Sequence, residues 1–379
     1  MKEISHQNIS KIEQNIPHHN NKNINMINIR DKVENGDNKM EIEIPINNSS
    51  NQLIASGATN YSNNTNNTNN SLDSNNIIIN NNNIFIYYPD DNFNLNLQNS
   101  NESNDSKSFF NFKFASNGEY ISYAGEYLEE IYANLIFDEK NLNFKPNFGY
   151  MNQQKDINEQ MRAILIDWLI EVHYRFNLKN ETLFQTIWII DTYLSYKQIS
   201  RAKLQLLGIA SLLISCKSQE IYFPQLKDFI DITDGAYKKE ELITMENNIL
   251  KILKFNIVSP TSNDFYNILS KAFNFDKTQF YFGRYFLESA LIDYQMIKYK
   301  PSLIAVSCVY IVMKIFKISD YKILYTNDVF REECPQTAIK NTARAIYFLV
   351  KNLSHLSLKA AKDKYSLSQF LNVTQYIEQ

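Results

Sequence analysis

The chain has 379 residues, enough for two ordinary domains and a tail, and 44% of them are apolar, ample for real cores. Its 38 basic and 41 acidic side chains leave a formal charge of −3, which argues against a general polyanion binder. Three cysteines, Cys216, Cys308 and Cys334, lie far apart with no CxxC, so neither a disulfide framework nor a zinc cluster is suggested.

The start, MKEISHQNIS, lacks the apolar core of a signal peptide, and no run approaches the roughly 20 apolar residues of a membrane span. A soluble, intracellular chain is expected. Residues 1–115 are dominated by Asn, as in NNTNNTNN and INNNNIFIYY. Such sequence cannot bury enough apolar area to offset the entropy of ordering, so a disordered regulatory tail is expected. The Asn-x-Thr triplets read as compositional drift, since glycosylation needs an exported chain.

From Glu119 the pattern turns helical, and 30 basic side chains face 29 acidic ones from there on. Periodicity predicts helices at 119–137, 156–176, 181–195, 202–217, 224–232 and 238–253. Ser259-Pro260-Thr261 breaks the chain, because proline disfavours helix at the residue before it, and Thr261 can cap the next helix. A second series is predicted at 264–272, 279–294, 301–316, near 325–330 and at 336–353, with a last segment at 356–364. Pro301 suits a first helical turn, where its missing N–H is no loss.

The third helix of each series can be aligned, LGIASLLISCK (207–217) with IAVSCVYIVMK (304–314). Gly208 meets Ala305, Ser211 meets Cys308 and Lys217 meets Lys314; small residues at this spacing suit a helix in the middle of a bundle. With equal helix counts, this predicts two similar bundles in tandem. One stretch carries more apolar residues than a bundle helix needs. In MRAILIDWLIEV (161–172), Met161, Ile164, Leu165, Trp168 and Val172 form one stripe, and Ile166, Leu169 and Ile170 a second. Periodicity alone leaves both stripes in the core.

No catalytic constellation emerges. His6, His18, His19, His173 and His355 sit in no metal-ligand spacing, no Cys or Ser occupies a nucleophile motif, and eight glycines form no phosphate loop. No enzyme, no cofactor and no metal are expected; a binding module is the better class.

The run MRAILIDWLIEVHYRFNLKNETLFQTIWIIDTYLS (161–195) resembles the cyclin box of mitotic cyclins, and KLQLLGIASLLISCK with EIYFPQLKDFIDITDGAY continues the match in order. EVHYRF and the SKA at 270–272 look more like B-type than A-type members. The resemblance implies an all-α chain: two stacked five-helix boxes with an N-terminal helix docked on the first. The implied limits are 1–115 for the tail, 116–256 for N-terminal helix and first box, 257–365 for the second box and 366–379 for a C-terminal tail.

It also implies a cyclin-dependent Ser/Thr kinase as partner. Lys217 and Glu246 match the centre of the family's kinase-binding face, with Glu220, Leu250, Phe255, Ile257 and Ile131 around them. Met161, Leu165 and Trp168, with Glu171 and Gln205 as polar rim, match a shallow groove that docks Arg-x-Leu peptides of substrates and inhibitors. Arg162 and Asp191 match a structural ion pair. In the tail, Arg30, Val33 and Asn38 match a degenerate destruction signal, which implies a ubiquitin ligase as a further partner. The implied location is nucleus and cytoplasm, with no membrane or nucleic acid among the partners.

Two positions depart from the family pattern. An aromatic and two carboxylates usually follow the Lys, whereas Ser218-Gln219-Glu220 stands here, and Asp191 lacks the usual following Arg. The alternative reading is a transcription-type cyclin-box protein, either an initiation factor or a transcriptional cyclin. An initiation factor would need a basic face for DNA, which the near-neutral helical part does not supply.

Overall fold

The computed structural model describes residues 77–80, 83–86, 127–326, 333–353 and 357–377. Helix α1 spans Leu128–Lys140. A first series comes next: α2 Glu159–Arg175, α3 Asn180–Tyr196, α4 Leu204–Gln219, α5 Leu226–Asp231 and α6 Lys239–Ile252. The second comprises α7 Ser262–Ala272, α8 Lys277–Ile292, α9 Pro301–Ile315, α10 Ile323–Thr326 and α11 Gln336–Leu353, and α12 is Ala360–Tyr365.

Side-chain chemistry sets these limits. The Asn158 side chain accepts the Met161 N–H at 2.9 Å and so starts α2 three residues later than periodicity places it. Thr261 with Asp264, and Asp276 with Gln279, form capping boxes at α7 and α8. Asn177 and Asn274 take left-handed φ of 52° and 50° just past α2 and α7, a conformation asparagine tolerates better than most residues.

Each series wraps a nearly all-buried middle helix. In α4 every residue from Leu204 to Cys216 is buried, and in α9 the same holds for Ser302–Met313 apart from Ile304. The small residues aligned between them have a geometric cause in the first bundle: a Cβ on Gly208 would lie 2.9 Å from Leu165 Cδ1. The aligned lysines differ. Lys217 is ion-paired, whereas the Lys314 Nζ sits 3.4 Å from the centre of the Tyr321 ring.

Helix α2 explains its two stripes. At about 100° per residue it divides into three sectors. Leu165, Leu169 and Val172 enter the core of the first bundle. Ile166 and Ile170 enter the other core, shared with α7–α9 and α11 of the second bundle. The extra apolar face is therefore the contact between bundles. Leu183, Phe184 and Ile187 of α3 join the same shared core.

One buried cation fastens this junction. Arg162 forms a fork on Asp191, Nε to Oδ1 at 2.7 Å and Nη2 to Oδ2 at 2.6 Å. Its Nη1 donates to the Leu291 and Ile292 carbonyls, each at 3.1 Å. Those carbonyls end α8, so a first-bundle arginine satisfies helix-terminal acceptors of the second. The Tyr150 hydroxyl donates to Asp191 at 2.8 Å, and the Tyr294 hydroxyl accepts from the Gly149 and Met151 N–H groups.

Helix α1 docks on the second bundle, not on the first as expected. Tyr132 meets Phe265 of α7 edge to face, with ring centres 5.6 Å apart. The buried Glu139 carboxylate accepts from Ser302 N at 2.8 Å and from its Oγ at 2.7 Å, capping the N-terminus of α9 from another helix. The expectation came from the resemblance; here the apolar side of α1, with Leu128 and Tyr132, enters the core built around α7–α9.

The expected C-terminal tail is also structure. Residues 366–377 close over α8, with Val373 fully buried and Tyr376 against Phe282 and Phe316. Just before it, Lys364 pairs with Glu288 inside the core at 2.8 Å, and the Tyr365 hydroxyl donates to the same carboxylate. Within the span expected to be disordered, Ile77–Asn80 and Asn83–Ile86 form an antiparallel hairpin. Isoleucine and phenylalanine favour strands, and Asn80 stands opposite Asn83 at one end of the pairing. The rest of the tail, Arg30, Val33 and Asn38 among it, His355, residues 119–126 and 327–330 lie outside the described residues.

Replacing Arg162 with Ala leaves the Asp191 carboxylate buried with only Tyr150, so the variant should lose about 3–5 kcal/mol in urea unfolding. Adding Asp191→Asn should recover part of that loss.

Candidate functional site

Lys217 lies in the last turn of α4 and Glu246 in the middle of α6. Packing of these helices sets Lys217 Nζ 2.5 Å from Glu246 Oε1; the lysine side chain is 42% exposed, the glutamate 12%. The glutamate is held in place while the ammonium keeps donors facing outward.

Beside this pair the chain leaves α6 by an unusual route. Lys254 and Phe255 are both left-handed, with φ of 49° and 61°, and the Phe255 N–H returns to the Leu250 carbonyl at 2.9 Å. Each such non-glycine residue costs about 1–2 kcal/mol. The result is that Phe255 projects from the surface, 71% exposed. Leu250 and Ile257 are half-buried, packed against the first core while keeping an outer edge. Ile131 is on the exposed side of α1, with Tyr127 and Phe137.

Sequence reasoning missed three residues that belong to this surface by exposure and chain position. Ile221 and Tyr222, just past α4, are 80% and 93% exposed, and Val258 extends from Ile257 into solvent. Apolar residues in a loop bounded by Glu220 and Pro224 were the available signal, since a folded chain rarely exposes such side chains together without use.

Glu220, expected at the kinase-binding face, also has partners within the chain. Its Oε1 accepts the Lys179 N–H at 2.7 Å and the Thr182 hydroxyl at 2.5 Å, at the N-terminus of α3. A carboxylate there satisfies orphan donors and faces the positive end of the helix. Glu220 thereby ties α4 to α3 and is not a free surface charge.

The expected peptide groove is only partly surface. Leu165 is fully buried against Gly208, and Gln205 is buried at the start of α4. The i+4 position from Met161 rotates into the core, while the i+3 position, Ile164, stays half-exposed between Met161 and Trp168. Met161, Ile164 and Trp168 therefore form the outer apolar strip, with Glu171 exposed at its edge.

The N-terminal domain model of cyclins matches residues 130–258, and the C-terminal domain model matches residues 260–379. The chain belongs to the cyclin family. Cyclin-B2-1 of rice, Oryza sativa subsp. japonica, is 41% identical over 210 residues, 55% of this chain and 49% of the relative. The G2/mitotic-specific cyclin-B of Hydra vulgaris is 37% identical over 251 residues, 66% of this chain and 67% of the relative. This cyclin thus spans about half the length of the rice relative it matches. Among solved structures, a viral cyclin from herpesvirus saimiri superposes with a TM-score of 0.53 at 21% identity, covering 60% of this chain and 99% of that one. That likeness speaks for the fold.

Other ionisable groups of this cyclin are built for packing. Burial pushes the thiols of Cys216 and Cys334 up to about 12, and that of Cys308 higher still, so none is a ready nucleophile. Burial, with the Lys364 ammonium nearby, lowers His173 to about 4 and keeps it neutral; its Nε2 bonds the Lys179 carbonyl at 2.8 Å. Among the described residues no group of three His, Cys, Asp or Glu side chains is placed to hold a metal ion.

Asp167, on α2, behaves differently. Burial, then the charges of Glu171 and Asp363, raise it from 3.8 to about 7, against the Ala360 and Lys359 N–H groups that favour its charged form. A raised carboxylate means the folded state holds its proton to higher pH than the unfolded chain. Asp167 therefore lowers stability progressively as pH rises from about 4 to about 7. Asp167→Asn, which still offers Ala360 an acceptor, should raise the melting temperature at pH 7.5, change it little at pH 4, and flatten the pH profile between.

Proposed function

We propose that this cyclin is the regulatory subunit of a cyclin-dependent Ser/Thr kinase in mitotic control. The observation that carries the reading is the solvent-reaching Lys217 paired with the buried Glu246, with Phe255 held out beside them by two strained residues. The B-type relatives support the mitotic assignment over a transcription-type one. Action in nucleus and cytoplasm is part of the same proposal.

The mechanism is allosteric. A protein kinase transfers phosphate efficiently only when the Lys–Glu ion pair of its small lobe and its Mg²⁺ are in place. A rigid helical face that binds the competent arrangement more tightly shifts the kinase toward it. The cyclin contributes surface and no reacting group. Lys217 offers directed donors, and Phe255, Ile257, Ile221 and Tyr222 offer apolar area; aromatic anchors of this kind dominate interface energetics. Lys217→Ala with Glu246→Ala should weaken kinase binding by about 100-fold or more at unchanged helical content. Full kinase activation by the folded double variant would overturn the reading.

The strip of Met161, Ile164 and Trp168 is proposed as a docking site for Arg-x-Leu peptides, with Glu171 pairing the peptide arginine. Its surroundings are acidic: Glu171 lies near Asp167 and Asp363. Tethering a substrate there raises its effective concentration at the kinase. Met161→Ala with Trp168→Ala should leave activity on a short peptide intact and reduce phosphorylation of a substrate bearing the docking peptide roughly tenfold. Equal losses on both substrates would assign these side chains to the core alone.

A further inference from the structure

Two amides, one buried and one half-buried, join the end of α4 to the strained loop after α6. Gln185 of α3 is almost fully buried; its Nε2 donates to the Ile257 carbonyl at 2.8 Å, and its Oε1 accepts from Gln219 Nε2. The direction of this relay is fixed by its far end. A backbone carbonyl can only accept, so Gln185 turns its NH₂ toward Ile257. That leaves the Gln185 carbonyl facing position 219, where only a donor satisfies it. Gln219 is that donor, and the Lys179 ammonium steadies the same turn by donating to the backbone carbonyl of Gln219 at 2.9 Å.

This relay explains one departure of the sequence. A carboxylate at 219, as the resemblance leads one to expect, would set acceptor against acceptor at Gln185. Flipping Gln185 to relieve that clash would turn its carbonyl on Ile257 instead. A buried amide cannot serve both neighbours, and an unsatisfied buried acceptor is costly.

We infer that Gln219 and Gln185 are positioning residues that set the Phe255–Ile257 loop relative to Lys217, and so tune this face to its kinase. The inference rests on the kinase-binding reading above. Neither amide needs to touch the partner; they act through the loop that does.

The test uses the full chain with Gln219→Glu, Gln219→Lys, Gln185→Leu and the Gln219→Glu/Gln185→Leu double variant. Two readouts are taken: amide hydrogen exchange at residues 254–258 in the free chain, and affinity for a purified recombinant mitotic cyclin-dependent kinase. Gln219→Glu and Gln185→Leu should each speed loop exchange and weaken affinity about two- to tenfold, one hydrogen bond's worth. Exchange in the core of α4 should stay as in the wild type. The double variant should be no worse than the weaker-binding single, because the two residues form one unit. Gln219→Lys, which restores a donor, should stay near wild type. Wild-type behaviour of Gln219→Glu in both readouts would overturn the inference, as would equal loss in Gln219→Lys. A loosened loop with undiminished affinity would overturn the tuning role. Failure of the wild-type chain to bind the kinase would overturn the kinase-binding reading instead, and loop exchange would then decide the relay by itself.

Discussion

The guanidinium of Arg162 is bonded to two bundles at once, and the rest of the structure is arranged around that constraint. Its fork on Asp191 joins α2 to α3, and its third nitrogen binds the last carbonyls of α8. A buried charge tolerates little displacement, because losing any partner exposes it to an apolar surrounding without compensation. The tie is therefore directional, whereas the apolar contact of Ile166 and Ile170 around it is not. Together they supply area and orientation to one junction.

A fixed junction is what an allosteric surface needs. A face can shift a partner's equilibrium only by its differential affinity for the two states, and a face that yields loses that difference. Here the elements that carry the face are each held by a polar contact from elsewhere. Glu220 ties the end of α4 to α3 and Gln185 holds the Ile257 carbonyl, while Glu139 fastens α1 to α9. Strain at Lys254 and Phe255 is tolerated because its surroundings are so fixed.

Helix existence was legible in the sequence, and so were several boundaries. The span 336–353 coincides with α11, and Pro301 opens α9, because caps, proline and periodicity are local signals. The partner of each face was not legible. Ile164 and Leu165 are one residue apart, yet about 100° of rotation sends one to the surface and the other to the core. Helix α1 shows an apolar face without naming the second bundle as its cover. Residues 366–377 build short 3-10 turns whose pattern has no helical period, so they read as a tail. Lys217 and Glu246 came from resemblance, and the structure places them in contact. Glu220 came the same way, and its local task at α3 is visible only in three dimensions.

The most direct measurement is a structure of this cyclin bound to a mitotic cyclin-dependent kinase. The kinase's mobile helix should lie against Lys217, Glu246 and Phe255, with Ile221, Tyr222 and Ile131 at the edges, and the kinase ion pair should be formed. A complex that leaves Lys217 and Phe255 in solvent, or a kinase whose ion pair stays broken when the face is covered, would contradict an allosteric role for this face.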